Sequence, residues 1–205
     1  MSESAAQKIY TKSGMARENP FLGKKVLHVG CGTAKLPGAT GVDVLKLSGV
    51  DVVHDLDKTP WPFADNTFDV ILAHSVLEHV DSVLHFMNEA YRVGKPDARL
   101  VICVPYFRSV DAYDDPTHRH FFTSRSMEYF LDDGNSLAAY SYSGARFKKI
   151  GFWYGWPHPS RNPIPWFLKK TAHRFPHFYD QYLSLLLPVK VLFWDLEVIK
   201  NKNSK

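Results

Sequence analysis

The stretch KVLHVGCGTAKLPG, Lys25 to Gly38, runs from a short apolar segment into a glycine-rich break. Val26, Leu27 and Val29 have the length and β-branched character of a strand, and the lack of polar alternation suits one buried on both faces. Gly30 and Gly32 then let the backbone turn tightly and approach a ligand that a side chain would hold off. The path onward to Ala39 is short, because a crossover between parallel strands usually takes a dozen or more residues. Pro37 and Gly38 break any helix within it. A loop or a single helical turn is therefore predicted there.

Working outward, three further apolar runs follow: TGVDV (40–44), VDVVHDL (50–56) and, after the turn-rich TPWPFADNT, FDVILAHS (68–75). The period then changes. Val80, Val83, Leu84, Met87, Ala90 and Tyr91 fall on one helical face, with Asp81 as N-cap and Gly94 as stop. A strand at ARLVICVPYF (98–107) completes a strand–helix–strand unit. Beyond it come a short helix candidate in SRSMEYFLDD (124–133), an alternating segment ARFKKIGFWYG (145–155), and a proline-punctuated stretch leading into helices up to Leu187. VKVLFWDLEVIK (189–200) reads as a final, antiparallel strand. The predicted fold class is α/β: a Rossmann-like, seven-stranded, mostly parallel sheet with an antiparallel last strand and a C-terminal helical cap. We read one domain over 1–205, made of an N-terminal segment (1–24), a cofactor-binding core (25–107), substrate-side loops and cap (108–188), and the final strand (189–200).

Composition fits a single medium-sized domain: 205 residues, 45% hydrophobic and 22% charged. The formal net charge of +4 comes from basic residues spread along the chain, which gives no argument for a nucleic-acid partner. Cys31 and Cys103 lie far apart, with no CxxC and no metal-ligand spacing, as in a reduced, cytoplasmic chain. The N-terminal MSESAAQKIYTKSG has no apolar signal core, and no run approaches the roughly 20 apolar residues that span a bilayer.

In an open α/β sheet, ligands bind beyond the carboxyl ends of the strands, where strand order reverses. Gly30 and Gly32 stand at the first such end, Asp43 at the second and Asp55 at the third. An adenosine lying across them would use Asp43 for the ribose hydroxyls and Asp55 for the exocyclic amine. A dinucleotide fingerprint fits less well, since position 35 is lysine and Asp43 comes too early for its acid.

The run of motifs VLHVGCG, GVDV, VVHDLD, PWPFADNTFDVILAHSVLEHV and YRVGKPDARLVICVP, Val26 to about Tyr106, resembles the class I S-adenosylmethionine-dependent methyltransferases. Within these it is similar to the ubiquinone/menaquinone-biosynthesis (type 11) group. The resemblance implies S-adenosylmethionine as cofactor, with Gly30, Cys31 and Gly32 packed against its methionine part. It also implies Asp43 and Val44 at the ribose, Asp55 and Leu56 at the adenine, and His74 and Ser75 beside the cofactor. His28, counted with this set, stands where such families usually carry an acid. Ala34 and Ala98 stand where they usually carry glycine.

Methyl transfer from a sulfonium is an in-line displacement, so alignment supplies most of the acceleration and a base is needed only when the acceptor must lose a proton. The end of the fourth strand reads AHSVLEH rather than the (D/N)PP(Y/F) associated with methylation of exocyclic amines on bases, and Cys103 sits mid-strand as a structural thiol. Candidate catalytic residues are Glu78 and His79, just after the fourth strand, and His118 and His120 in DPTHRHFFT (115–123). A metal reading of the histidines would need Glu78, His79 or Asp115 as further donors. A nucleic-acid grip would rest loosely on Arg119, Arg125, Arg146, Lys148 and Lys149. We favour a lid with His118 or His120 as base, Arg119 binding an anionic group of a small-molecule acceptor, and Tyr106 and Asp115 on the substrate side; no metal is assigned. The amphipathic stretch 166–187 suits a helical cap, with peripheral membrane contact as its second reading. The expected function is methylation of a small or medium polar acceptor at oxygen or nitrogen. A catalytically inactive partner subunit of the same fold and an RNA methyltransferase are the alternatives, and the sequence sets no oligomeric state.

Overall fold

The computed structural model describes residues 4–11, 14–134, 137–140, 142–157, 170–186 and 189–200. Seven strands form one sheet: β1 (Val26–Val29), β2 (Thr40–Asp43), β3 (Val52–Val53), β4 (Phe68–His74), β5 (Gly94–Pro105), β6 (Phe147–Tyr154) and β7 (Val191–Val198). Their order is β3-β2-β1-β4-β5-β7-β6. Neighbours from β3 to β5 run parallel, whereas β7 is antiparallel to both β5 and β6. The predicted seven-stranded α/β sheet with an antiparallel last strand is thus the observed one. Strand order reverses between β1 and β4, which opens a crevice at their carboxyl ends.

Both faces of the central strands are buried, which is why their sequences show no alternation. Leu27, Val29, Ile71, Ala73, Leu100 and Ile102 face helix α2 (Val83–Val93) and its Phe86, Met87, Ala90 and Val93. Val26, Val70, Leu72, Val101 and Cys103 face the N-terminal segment, where helix α1 (Ala5–Ile9) and Tyr10 cover them. Asp195 of β7 fixes that cover. Its fully buried carboxylate is paired with Arg99 at 2.6 Å and accepts the Ala6 N–H at 3.1 Å.

Three local expectations resolve differently in the structure. The N-cap of α2 is Ser82, whose Oγ accepts the His85 N–H at 3.3 Å, while the carboxylate of Asp81, one residue earlier, pairs with Arg119. Gly94 ends the helix in extended rather than left-handed geometry (φ −70°), and a Cβ there would stand 3.0 Å from the Ala90 carbonyl and 3.2 Å from Val198. Of the helix expected in 124–133, only a 3₁₀ turn at Glu128–Phe130 forms.

The first crossover carries no helix. Ala34 N–H donates to Cys31 O and Ala39 N–H to Leu36 O, both at 3.1 Å, in successive turns, as Pro37 and Gly38 predict. Of the cap expected over 108–188, residues 135–136, 141, 158–169 and 187–188 lie outside the described residues, among them 166–169 and 187 of the amphipathic stretch. The described part includes a short helix at Pro176–Phe178 and a π-helical turn at Tyr179–Leu183. Among the described residues no helix is long and apolar enough to cross a membrane.

Candidate active site

A cavity of about 290 Å³ opens at the carboxyl ends of β1 to β4, at the point where strand order reverses. Gly30, Asp43, Val44, Asp55, Leu56 and Ser75, all expected around the cofactor, line it. Asp57, Val76 and Val80 line it as well, and the sequence reading missed them. Their signal is position alone: they directly follow the ends of β3 and β4.

Gly30 adopts φ +58°, and a Cβ on it would lie 2.4 Å from Cγ2 of Val76, so the β1 turn packs directly on the β4 turn. Ser75 also takes a left-handed conformation (φ +53°), uncommon for a residue with a side chain, at the cavity wall. Asp43 shapes the opposite wall. Its Oδ2 accepts the Gly32 N–H at 2.8 Å and its Oδ1 the Leu45 N–H at 3.0 Å, which leaves further lone pairs for a ligand. Gly32 thus contributes through its N–H to Asp43, and neither it nor Cys31 lines the cavity.

His28 and His74 lie on the other face of the sheet. His28 is 2% exposed and its Nδ1 accepts the Leu36 N–H at 3.1 Å, which holds the short first crossover against β1. Burial first, and then His74 nearby, bring its pKa down to about 4, so the ring is neutral. His74 Nδ1 is bonded to the Tyr10 hydroxyl at 2.9 Å, and burial lowers its pKa too.

Three carboxylates, Asp43, Asp55 and Asp57, therefore face a cavity with no lysine or arginine in its wall among the described residues. Burial, then Asp55 beside it, raises the pKa of Asp57. Such a wall repels phosphate and accepts hydroxyl, amine and cationic groups. It suits the neutral nucleoside and positive sulfonium of S-adenosylmethionine, and it is a poor cradle for the pyrophosphate of a dinucleotide.

At the rim, the segment after β4 meets the 115–123 loop. Glu78 is 1% exposed, and burial pushes its pKa up to about 7. Ser75 and the Glu78 N–H lie near its carboxylate, but neither makes a hydrogen bond of ordinary geometry. The Glu78 carbonyl accepts the N–H groups of Arg119 (2.7 Å) and His120 (3.3 Å) and so docks the loop. His79 lines the cavity, and its ring meets that of His118 edge-on at 4.7 Å. His120 is bonded through Nε2 to the Val80 carbonyl at 2.8 Å and is an anchor of the loop. Phe122 is a second, buried anchor, while Phe121 stacks on Tyr113 at 4.9 Å.

The remaining candidates take other positions. Arg119 is ion-paired with Asp81 at the surface. Asp115 accepts from the Thr117 N–H (2.8 Å) and hydroxyl (2.7 Å) and shapes the loop. Tyr106 is fully buried and donates to Asp180 Oδ1 at 2.8 Å, in a network where Tyr154 (2.7 Å) and Ser124 (2.6 Å) also donate to Asp180. Burial raises the Tyr106 pKa, and its hydroxyl faces Asp180 rather than the cavity. No cue in the sequence separates the roles of Arg119 and Tyr106, because each depends on a partner dozens of residues away.

Residues 27–102 match a family described as a methyltransferase domain. Cycloartenol-C-24-methyltransferase 1 of Oryza sativa subsp. japonica is 26% identical, with 75% of this chain and 51% of that protein covered. The ubiquinone/menaquinone biosynthesis C-methyltransferase UbiE of Cereibacter sphaeroides is 32% identical over 40% of this chain and 43% of its own length. The chain thus spans about half the length of these relatives. A solved S-adenosylmethionine-dependent methyltransferase from Archaeoglobus fulgidus shares the fold at 17% identity, with a TM-score of 0.53 and coverage of 85% of this chain and 86% of that one. The methyltransferase-domain match over residues 27–102 and these relatives make that part of the chain similar to S-adenosylmethionine-dependent methyltransferases, and the solved structure shows that the chain shares their fold.

Proposed function

We propose that the protein transfers a methyl group from S-adenosylmethionine to a small or medium polar acceptor, at oxygen or nitrogen. The observation that supports this best is the juxtaposition at one sheet edge of a carboxylate-lined cavity and the rim cluster Glu78, His79 and His118. In this reading Asp43 and Asp55 accept from the nucleoside, and the Gly30 turn keeps the backbone close to the ligand. When bound, the cofactor supplies an electrophilic methyl on a positively charged sulfur.

The chain's own contribution is then alignment, exclusion of water by the docked 115–123 loop, and a place for the acceptor's proton. His79 lines the cavity and burial lowers its pKa, so its neutral ring can take that proton. Glu78 and His118 stand behind it, while His120 and Phe122 hold the loop down. A second reading, methylation at carbon, draws on the two relatives named as C-methyltransferases.

Purified protein with methyl-labelled S-adenosylmethionine and a panel of phenols, amines, carboxylic acids and quinols tests both. Label on oxygen or nitrogen in the product supports the first reading, and label on carbon replaces it with the second. Cofactor binding without turnover on any acceptor in the panel would favour an inactive partner subunit instead.

A further inference from the structure

We propose that Glu78, His79 and His118 form a divalent transition-metal site at the rim of the cavity. One potential ligand atom from each residue lies within 4.8 Å of the other two. Modest side-chain rotation closes that spread to about 3.5 Å, the spacing of ligands around an ion about 2.1 Å from each. Both oxygens of the Glu78 carboxylate, on a side chain 1% exposed, lack a hydrogen-bond partner. Native proteins seldom leave a buried carboxylate unsatisfied, and a missing ion is one of the ordinary reasons when they do.

The hydrogen bonds around the two imidazoles prepare both rings for a cation. His118 Nδ1 lies 2.9 Å from the Ala112 carbonyl, which can only accept, so the proton sits on Nδ1 and the free lone pair on Nε2. The Thr117 hydroxyl donates to Asp115 Oδ1 at 2.7 Å. Its oxygen is therefore the acceptor of the 2.9 Å contact with His79 Nδ1, and Nε2 of His79 is again left with its lone pair. An imidazole whose far nitrogen donates to a carbonyl, or through a hydroxyl to a carboxylate, is the usual second layer of a metal site. Asp115, treated in the sequence as a possible direct donor, acts here through Thr117.

Two histidines and one carboxylate suit Zn²⁺, Mn²⁺ or Fe²⁺ better than Mg²⁺ or Ca²⁺, and three protein ligands leave a coordination position for water or for an acceptor oxygen. A cation there would lower the pKa of that oxygen. An ion on Nε2 of His79 takes the lone pair that the metal-free ring would offer to the acceptor's proton. The metal then replaces His79 in that role by making the bound oxygen easier to deprotonate. The inference itself rests on the loop geometry and stands whether or not the acceptor is methylated at oxygen.

The test is calorimetric titration of Zn²⁺ into the full chain after chelator treatment and desalting, with the absorption of bound Co²⁺ as a second readout. We expect one ion per chain in the wild type. Affinity should fall at least about tenfold in Glu78→Gln and His118→Ala, and by about 10- to 100-fold in Thr117→Val, which touches no ion directly. The exposed His85→Ala should bind as wild type. Glu78→Gln keeps the side-chain shape, and an unchanged melting temperature shows that lost binding is not lost fold. Absence of Zn²⁺ binding in the wild type, or wild-type affinity in both Glu78→Gln and His118→Ala, overturns the site, and wild-type affinity in Thr117→Val overturns the assigned proton positions. Failure to bind S-adenosylmethionine would instead count against the methyl-transfer reading and leave this one standing.

Discussion

Lowering the pH should destabilise this protein through one identifiable histidine. His28 is 2% exposed, and its pKa, about 4, lies below the ordinary 6.5 mainly because of burial, with His74 and Lys35 adding to the effect and Asp43 opposing it. The unfolded chain therefore takes up a proton at His28 before the folded one does. The associated stability is fully present above about pH 6.5 and is lost as pH falls toward about 4. At about 1.4 kcal/mol per pH unit, that interval amounts to about 3 kcal/mol, a substantial part of the total stability of a domain this size. Urea unfolding of the wild type and of His28→Gln at steps from pH 7 to 4 reads the effect directly. The glutamine carbonyl can still accept the Leu36 N–H but cannot titrate. Protonation elsewhere acts on both proteins, so the difference between the two curves isolates His28. The variant should lose about 3 kcal/mol less than the wild type over this range, and coincident pH profiles would refute a neutral, buried His28.

Three further predictions follow from contacts in the structure. Gly30→Ala places a methyl 2.4 Å from Val76 on a backbone at φ +58°; it should cost about 2 kcal/mol and weaken S-adenosylhomocysteine binding by about tenfold or more, and an unchanged melting curve and affinity would exclude the close packing described. Asp195→Ala leaves Arg99 and the Ala6 N–H without their carboxylate; because part of Arg99 still reaches solvent, a loss of about 2–3 kcal/mol is expected, with faster limited proteolysis in the first 24 residues, and slow wild-type-like cleavage would show that Asp195 does not hold α1. Tyr106→Phe removes a hydrogen bond to Asp180; it should lower stability by about 1.5 kcal/mol with KM for the acceptor unchanged, and a raised KM at constant stability would return Tyr106 to the substrate side.

The parallel core was legible because its strands carry apolar residues on both faces, a pattern set by local composition. The helix-free first crossover was legible for a similar reason, since Pro37 and Gly38 act within the segment itself. Asp43 and Asp55 could be placed because a parallel sheet puts successive strand ends along one edge. The role of 1–24 was not legible: Ala5, Ala6, Ile9 and Tyr10 become core by packing on strands far along the chain, with Asp195 of the last strand accepting the Ala6 N–H. Nor could the sequence divide DPTHRHFFT into parts. His118 faces Glu78 and His79, His120 anchors to Val80, and Arg119 pairs with Asp81. Those partners lie about forty residues back along the chain, and only the path of the loop selects among them. The position of His28 in the motif points to the cofactor. The structure turns it to the opposite face, where it secures Leu36.

The central claim is that the cavity at the ends of β1 to β4 binds the adenosine of S-adenosylmethionine through Asp43. Calorimetric titration of S-adenosylhomocysteine into the wild type, Asp43→Ala and the distant, surface Asp133→Ala tests it most directly. The account predicts one site per chain in the wild type, affinity weaker by about tenfold or more in Asp43→Ala, and no change in Asp133→Ala. Absence of binding in the wild type, or equal affinity in a folded Asp43→Ala, would contradict it.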